Sequence, residues 1–304
     1  MTALMLTVLA TSIPLLLAAT GELVAERSGV LNLGVEGMML IGAVAALSAV
    51  LATGNPYSGI IAGAAAGAVT AMLFAFFAVT LLTNQVATGL ALTIFATGFS
   101  GLVGAPLIGK TGLALPIIEL PVISSIPVAG DLLFKQDLLF YLAFVLLGLV
   151  AFMLFRTRWG MILRAVGDEH NSAHALGYNV ALVRWLAVGF GGMMAGLAGA
   201  YLPLVLTPHW SEGMTAGRGW IALALVVFAS WMPGRLLIGA LIFGGITILQ
   251  LTGQARGWMV PPQFLSMLPY IATIGALVLI SIRSREGSFI SVPACLGKPF
   301  QRNS

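Results

Sequence analysis

MTALMLTVLATSIPLLLAAT, residues 1–20, carries no charged side chain along its whole length. A helix that crosses a bilayer needs roughly 20 apolar residues, because away from water every backbone amide must find its partner inside the helix itself. No Lys or Arg precedes the apolar core, so the stretch lacks the basic start of a secretory signal and reads as a retained first helix. Eight further apolar runs follow, near residues 37–53, 58–82, 86–108, 138–155, 185–206, 219–232, 236–251 and 266–283. The fold class is therefore all-α, a polytopic transmembrane helical bundle of about nine spans, with roughly eight to ten as the range. Runs 219–232 and 236–251 are short and are separated by Pro233 and Gly234, as in tilted, broken or re-entrant helices.

Composition excludes a soluble fold. Hydrophobic residues make up 59% of the chain and charged residues 8%, against about 25% charged in ordinary globular domains. Mean hydropathy is +1.04. The net charge of +4 does not point to nucleic acid, because the cations sit in short loops, where they set membrane orientation. Residues 156–184 carry Arg156, Arg158, Arg164 and Arg184, and the tail from about 284 to 304 carries Arg285, Lys298 and Arg302, just after Arg283. Both segments are expected in the cytoplasm. Residues 109–137 balance Lys110 and Lys135 against Glu119, Asp131 and Asp137 and read as an external loop. Alternation then places the N-terminus outside. Cys295, the single cysteine, lies in the polar tail and has no partner for an internal disulfide.

Glycines recur at helical spacing. Gly59, Gly63 and Gly67 form one stripe, and Gly192, Gly196 and Gly199 another, as expected where two helix backbones approach closely.

Polar residues interrupt the apolar runs at two places. GELVAERSGVLNLGVEG, residues 21–37, holds Glu22, Glu26, Arg27, Asn32 and Glu36. An ionisable group at membrane depth costs about 2.5 to 3.5 kcal/mol, so such groups pair or line a polar cavity. For Glu22, Glu26 and Arg27 a solvated cytoplasmic turn is the alternative. Asn32 and Glu36 are expected to be buried, facing a pathway or locking a helix. The second interruption is Thr83-Asn84-Gln85. Asn84 suits a helix cap, while Gln85 and Thr88 are candidates to line a polar route.

Two motifs fail on context. GAPLIGKT, residues 104–111, matches the phosphate-loop pattern letter for letter. That loop works between a strand and a helix, and here an apolar helix precedes it and LPIIELP follows. His170 and His174 stand four apart, a zinc-ligand spacing, but only Asp168 and Glu169 are near enough to complete a set. The stronger reading of 164–177 is an amphipathic surface helix, with Ala165, Val166, Ala173 and Leu176 on one side and Asp168, Glu169 and Asn171 on the other. His209, beside Trp210 in an external loop, has no identifiable partner. No catalytic set and no metal site emerges, and an enzyme is not expected.

Four segments together carry a resemblance that reaches nearly the whole chain: GELVAERSGVLNLGVEGMMLIGA (21–43), NQVATGLAL (84–92), LRAVGDEHNSAHALGYNVALVRWLAVGFGGMMAGLAGAYL (163–202) and ACLGKPF (294–300). The sequence resembles permease subunits of ATP-binding-cassette importers of the ribose and branched-chain amino acid class, specifically the branch that imports nucleosides. The resemblance implies one permease domain over residues 1–304, in a bacterial-type cytoplasmic (inner) membrane. It also implies a second homologous permease forming a heterodimer, a cytoplasmic ABC ATPase and an extracytoplasmic substrate-binding protein. ATP and magnesium would bind the ATPase, leaving no cofactor in this chain. Gly167, Asp168, Glu169, Ala173, Leu176 and Gly177 would lie in the coupling helix that docks into the ATPase, within the cytoplasmic segment 156–184. Substrate contacts would fall on Asn32, Glu36, Asn84, Gln85 and Thr88. His170 and Asn171 depart from the pattern, in which Pro and a basic or small residue are common. Rival readings are a secondary transporter driven by an ion gradient, for which Glu36 is the one good ion-binding acid, an ABC permease for simple sugars, and a scaffold subunit.

Overall fold

The computed structural model describes residues 2–119, 129–257, 261–284 and 292–301. Arg285 and Arg302, two of the tail cations, lie outside the described residues. Twelve helices and one short hairpin make up the described chain. Seven helical stretches are long and apolar enough to cross a membrane: Thr2–Arg27, Val35–Thr53, Pro56–Thr80, Gln85–Leu107, Leu138–Arg156, Val180–Leu206 and Pro233–Ala255. Arg218–Phe228 is a shorter apolar helix and Pro262–Ser284 a further helix of 23 residues, so the described chain is the expected polytopic helical bundle, with about nine spans as an approximation. In chain order the helices are α1 (Thr2–Arg27), α2 (Val35–Thr53), α3 (Pro56–Ala75), α4 (Gln85–Gly104), α5 (Ala129–Leu133), α6 (Leu138–Arg156), α7 (Arg158–Asp168), α8 (His170–Ala175), α9 (Val180–Tyr201), α10 (Arg218–Phe228), α11 (Pro233–Ala255) and α12 (Pro262–Ser284).

Local chemistry sets the helix starts. Asn55 accepts from the Tyr57 amide ahead of α3, with Pro56 in the first turn. Asp137 takes the Phe140 amide at 2.9 Å, Thr157 the Gly160 amide at 3.2 Å, and Asn179 the Leu182 amide at 3.1 Å. Each such cap is worth about 1 kcal/mol. Gly54, at φ +66°, ends α2 in the left-handed conformation that glycine adopts without strain.

The centre of the bundle is α1, α2, α3 and α9. The two glycine stripes meet there: a methyl on Gly67 would strike the Gly192 carbonyl, and one on Gly196 the Gly63 carbonyl. Without a hydrophobic force between helices in lipid, such backbone contact is what holds them together. Strands β1 (Ile117–Glu119) and β2 (Lys135–Asp137) pair antiparallel, Ile117 opposite Asp137, in the segment expected to be external. Thr111 bridges to His209, and the Gly112 amide donates to the Pro208 carbonyl at 2.9 Å. His209 therefore has a backbone partner that its sequence context did not reveal. Before Thr111, GAPLIGKT continues out of α4 through a short tight turn at Ala105–Leu107, so a helix stands where a phosphate loop needs a strand.

Three expectations are corrected. The first helix runs beyond residue 20 to Arg27, and Glu22, Glu26 and Arg27 are only 1%, 1% and 3% exposed. They are not a solvated turn, because the bundle encloses them: Glu22 accepts from the Asn32 amide, Glu26 from Trp231 Nε1, and Arg27 donates to the Trp231 carbonyl. The segment 164–177 is not one helix either. It breaks at Glu169, whose φ of −149° is extended, into α7 and α8. Leu176 does not share a buried side with Ala173: it is 77% exposed, while Ala173 is 2%.

The basic segments converge. The Gly297 amide donates to the Gly29 carbonyl just past α1, and the Cys295 amide to the Gly167 carbonyl at the end of α7. The C-terminal end of α1, the α7–α8 elbow and the tail thus share one end of the molecule.

Candidate translocation and coupling site

The chain between α1 and α2, residues 28–34, has no regular helix, so its amides need partners from elsewhere. The Leu31 amide donates to Gln85 Oε1 at 2.8 Å and the Asn32 amide to Glu22 Oε1 at 3.1 Å. Asn32 Oδ1 accepts from the Gly34 amide at 3.0 Å, and Thr93 Oγ1 donates to the Leu33 carbonyl at 3.1 Å. Gly89 lets α4 approach, since a methyl there would sit 2.7 Å from the Leu33 nitrogen. Asn32 and Gln85, predicted separately, thus belong to one buried polar seam together with Glu22. Among the described residues Glu22 Oε2 and Gln85 Nε2 are buried with no hydrogen-bond partner. A buried polar atom without a partner costs about 1 to 3 kcal/mol, so two in one seam call for a functional explanation.

Glu36 serves a different place. Its Oε1 accepts from Thr215 Oγ1 at 2.5 Å and from the Gly217 amide at 2.9 Å, and its Oε2 accepts from the Gly219 amide at 2.6 Å. These donors form the start of α10, so the carboxylate takes orphan amides of a helix N-terminus and faces its positive end. At 11 residues α10 is ~16 Å long, about half the hydrocarbon thickness. Glu36 anchors this half-helix.

The far end of α10 turns back through Ser230 and Trp231, both left-handed at φ +51° and +56°. Such backbone costs on the order of 1 to 3 kcal/mol per residue and persists only where surroundings dictate it. Trp231 Nε1 donates to Glu26 Oε2 at 2.6 Å, and Arg27 Nη2 donates to the Trp231 carbonyl at 3.0 Å. Glu26 and Arg27 therefore hold the turn between α10 and α11.

Asn84 and Thr88 lie apart from that seam. Asn84 is exposed and caps α4 through the Ala87 amide at 3.0 Å. Thr88 Oγ1 lies 2.8 Å from Thr83 Oγ1, and both line a cavity of about 440 Å³ between α3 and α4 with Phe74, Phe77, Leu92 and Phe95.

At the end of the molecule where the basic segments meet, Gly167 is buried against α1, where a methyl would strike the Arg27 carbonyl. Asp168 and Glu169 are exposed, and Glu169 caps α8 by accepting from the Asn171 amide at 3.2 Å. Ala173 packs with Val166 and Val180 in a small cluster of its own, against Phe300. Gly177, at φ +90°, turns the chain into α9. Arg184, read from sequence only as a topogenic charge, is 1% exposed. It donates to the Ser28 carbonyl at 3.3 Å and the Lys298 carbonyl at 3.0 Å, and its Nη2 lies 3.2 Å from His170 Nδ1. Sequence reasoning missed Arg184, Thr215, Trp231 and Phe300 as working residues. The available signal was a charge or a tryptophan inside an apolar run.

Burial, with the Arg184 and Lys298 cations adding to it against the opposing Glu169, holds the His170 imidazole below its ordinary pKa near 6.5. A ring that accepts from Arg184 must be neutral. A depressed folded-state value means that this packing is at full strength above about pH 6.5 and weakens as pH falls below it. Acidification from pH 7.5 to 5.5 is therefore expected to speed amide exchange at Cys295 and Gly297, after correction for intrinsic rates. His170→Gln should remove that dependence; equal corrected rates at both pH values in the parent would contradict the assignment.

Long apolar helices around a buried polar seam, a half-helix held by a carboxylate and an exposed acidic elbow at one end describe a polytopic membrane protein with a polar interior. The chain belongs to the family described as branched-chain amino acid transport system / permease component, which matches residues 4–277. It is 39% identical to a putative glucose ABC transporter permease protein of Haloferax volcanii, across 95% of this chain and 94% of that protein. It is 33% identical to a nucleoside ABC transporter permease protein of Lactococcus lactis, across 88% and 89%. With a guanosine ABC transporter permease protein of Bacillus subtilis it shares 32% identity, across 94% of each. No solved structure matches the chain significantly. The chain is thus an ABC transporter permease, a non-catalytic transport component and a multi-pass protein of the cytoplasmic membrane.

Proposed function

We propose that this chain forms one half of an ATP-driven import pore for nucleosides, with a second, homologous permease as the other half. The observation that carries the reading is the α7–α8 elbow. It offers a Leu176 that is 77% exposed and an acidic rim of Asp168 and Glu169, and it is joined by backbone contact to the segment 28–34. An exposed leucine with an acidic rim fits an apolar cleft with basic edges on a cytoplasmic ATPase. ATP and magnesium bind that ATPase; this chain offers exposed Asp168, Glu169, Leu176 and Gly177 to the contact, while buried Gly167 and Ala173 seat the elbow on the bundle. An external binding protein delivers the solute. Asn32 and Gln85 with Glu22 form the polar part of the route, Asn84 and Thr88 lie at its cytoplasmic edge, and Glu36 fixes the half-helix beside it. The unpartnered Glu22 Oε2 and Gln85 Nε2 are an acceptor and a donor that a passing hydroxyl can engage. Both Glu36 oxygens are already engaged, which supports ATP drive over an ion-gradient mechanism at that acid.

Nucleosides follow from two relatives named for nucleoside and guanosine transport. Simple sugars are the alternative, favoured by the 39% identical relative named for glucose. A binding screen of the cognate external protein against nucleosides, bases and monosaccharides separates the two. Reversing both acids at the elbow, Asp168→Lys with Glu169→Lys, tests the docking assignment. Uptake is expected to fall at least about tenfold, the equivalent of 1.4 kcal/mol or more, with recognition of the binding protein intact. Normal uptake in that variant counts against the elbow as the ATPase contact.

A further inference from the structure

We propose that residues 293–300 form a clamp that locks the α7–α8 elbow onto the ends of α1 and α9, so that the ATPase-facing surface and the segment 28–34 move as one body. The coupling half of this proposal rests on the ATP-driven reading above, while the docking half does not.

The elbow cannot hold itself. Helix α8 has six residues, too few for stability without tertiary support, and α7 ends with carbonyls that have no acceptor role inside the helix. The tail supplies what both lack. The Cys295 amide donates to the Gly167 carbonyl at 2.8 Å, and Cys295 Sγ lies 3.4 Å from the Asp168 carbonyl oxygen, a weak S–H donor contact. Two residues on, the Gly297 amide donates to the Gly29 carbonyl at 3.1 Å. One short strand of chain therefore bonds both the elbow and the turn that leads into the polar seam.

Phe300 closes the other side. Its ring lies edge-on to His170 and to His174, 5.3 Å from each, and covers the Val166, Ala173 and Val180 cluster that joins α7, α8 and α9. Arg184 ties the three parts together, because its guanidinium reaches Ser28 after α1, His170 in α8 and Lys298 in the tail. That guanidinium is buried against carbonyls and a ring nitrogen, so each contact matters to keeping the cation satisfied. A push on Leu176 is then passed to Ser28 and Gly29 through Arg184 and the tail. Without the clamp the elbow is left with the packing of Gly167 on the Arg27 and Gly29 backbone and the Arg184 contact between His170 and Ser28.

Cys295 is the single cysteine of the chain and is 5% exposed, which makes it a direct reporter of docking. The full chain, reconstituted in lipid with the partner permease, the ATPase and the loaded external binding protein, is pulsed with a water-soluble maleimide, and labelling of this chain is normalised to the unfolded protein. Parent protein is expected to label at least about 20-fold more slowly than unfolded chain. Phe300→Ala should label at least about tenfold faster than parent, and Phe300→Tyr should restore slow labelling. In the same vesicles Phe300→Ala should keep ATP hydrolysis within about twofold of parent while solute taken up per ATP falls at least about fivefold, with Phe300→Tyr restoring the ratio. Labelling of parent protein as fast as unfolded chain overturns the docking. Fast labelling of Phe300→Ala with an unchanged uptake-to-ATP ratio overturns the coupling role. An absence of ATP-dependent uptake in the parent overturns the ATP-driven reading and the coupling role with it, and slow labelling there still upholds the docking.

Discussion

Glu36→Ala is expected to lower uptake at least about 100-fold while the protein still inserts in the membrane. Three donors converge on this carboxylate, from Thr215, Gly217 and Gly219. Hydrogen bonds to an ionised acceptor contribute about 1.5 to 3 kcal/mol each. Removing it strands amides of a helix N-terminus, and the net loss should be at least about 3 kcal/mol, or roughly 100-fold in the equilibrium constant between the anchored and released half-helix. Glu36→Gln keeps one acceptor oxygen but turns its amide hydrogens toward donors, so its defect should be intermediate. Gly219 has no room for a side chain, since a methyl would sit 2.6 Å from the Glu36 backbone. Amide exchange at Gly217 and Gly219, read beside uptake, separates a detached α10 from a global defect. Uptake within twofold of parent in Glu36→Ala, with both amides still slow, would remove Glu36 from the account.

Gly196→Leu is expected to leave little or no folded protein after extraction. The backbone of α9 lies against α3 at this point, and even a methyl would strike the Gly63 carbonyl and come within 3.0 Å of the Gly67 Cα. Overpacking a fitted interior costs about 1 to 3 kcal/mol for modest additions, and leucine adds four carbons where not one fits. Gly148→Leu is the control, for nothing lies within 4 Å of a methyl there. Its yield and elution on size exclusion should match those of the parent. A monodisperse Gly196→Leu protein at parental yield would show that α3 and α9 do not pack as described.

The spans were legible because lipid imposes a one-dimensional rule: length and apolarity suffice, and runs such as 138–155 meet it alone. The glycine stripes were legible for the same reason, since a repeat of four fixes one face. The end of α1 was not. Glu22, Glu26 and Arg27 read as a possible solvated turn because their partners are Asn32 after a reversal of the chain and Trp231 some 200 residues away. Asn32 and Gln85 were chosen singly as polar residues in apolar runs, but only the fold could reveal that the Leu31 and Asn32 amides bring them together. Glu36 was expected to face a pathway or lock a helix; its carboxylate holds the start of α10, a partner no local pattern specifies. The docking of the tail was not legible. A polar segment with one cysteine gives no periodic signal, and its docking depends on single amides meeting the carbonyls of Gly29 and Gly167.

Reconstitution in sealed vesicles tests the account most directly: this chain, its partner permease, the ATPase and a loaded external binding protein, with labelled nucleoside outside and ATP within reach of the ATPase. Accumulation is expected to require ATP, to stop when the ATPase is left out, and to be unaffected by collapsing the proton gradient. Accumulation driven by a proton gradient with no ATPase present would contradict it.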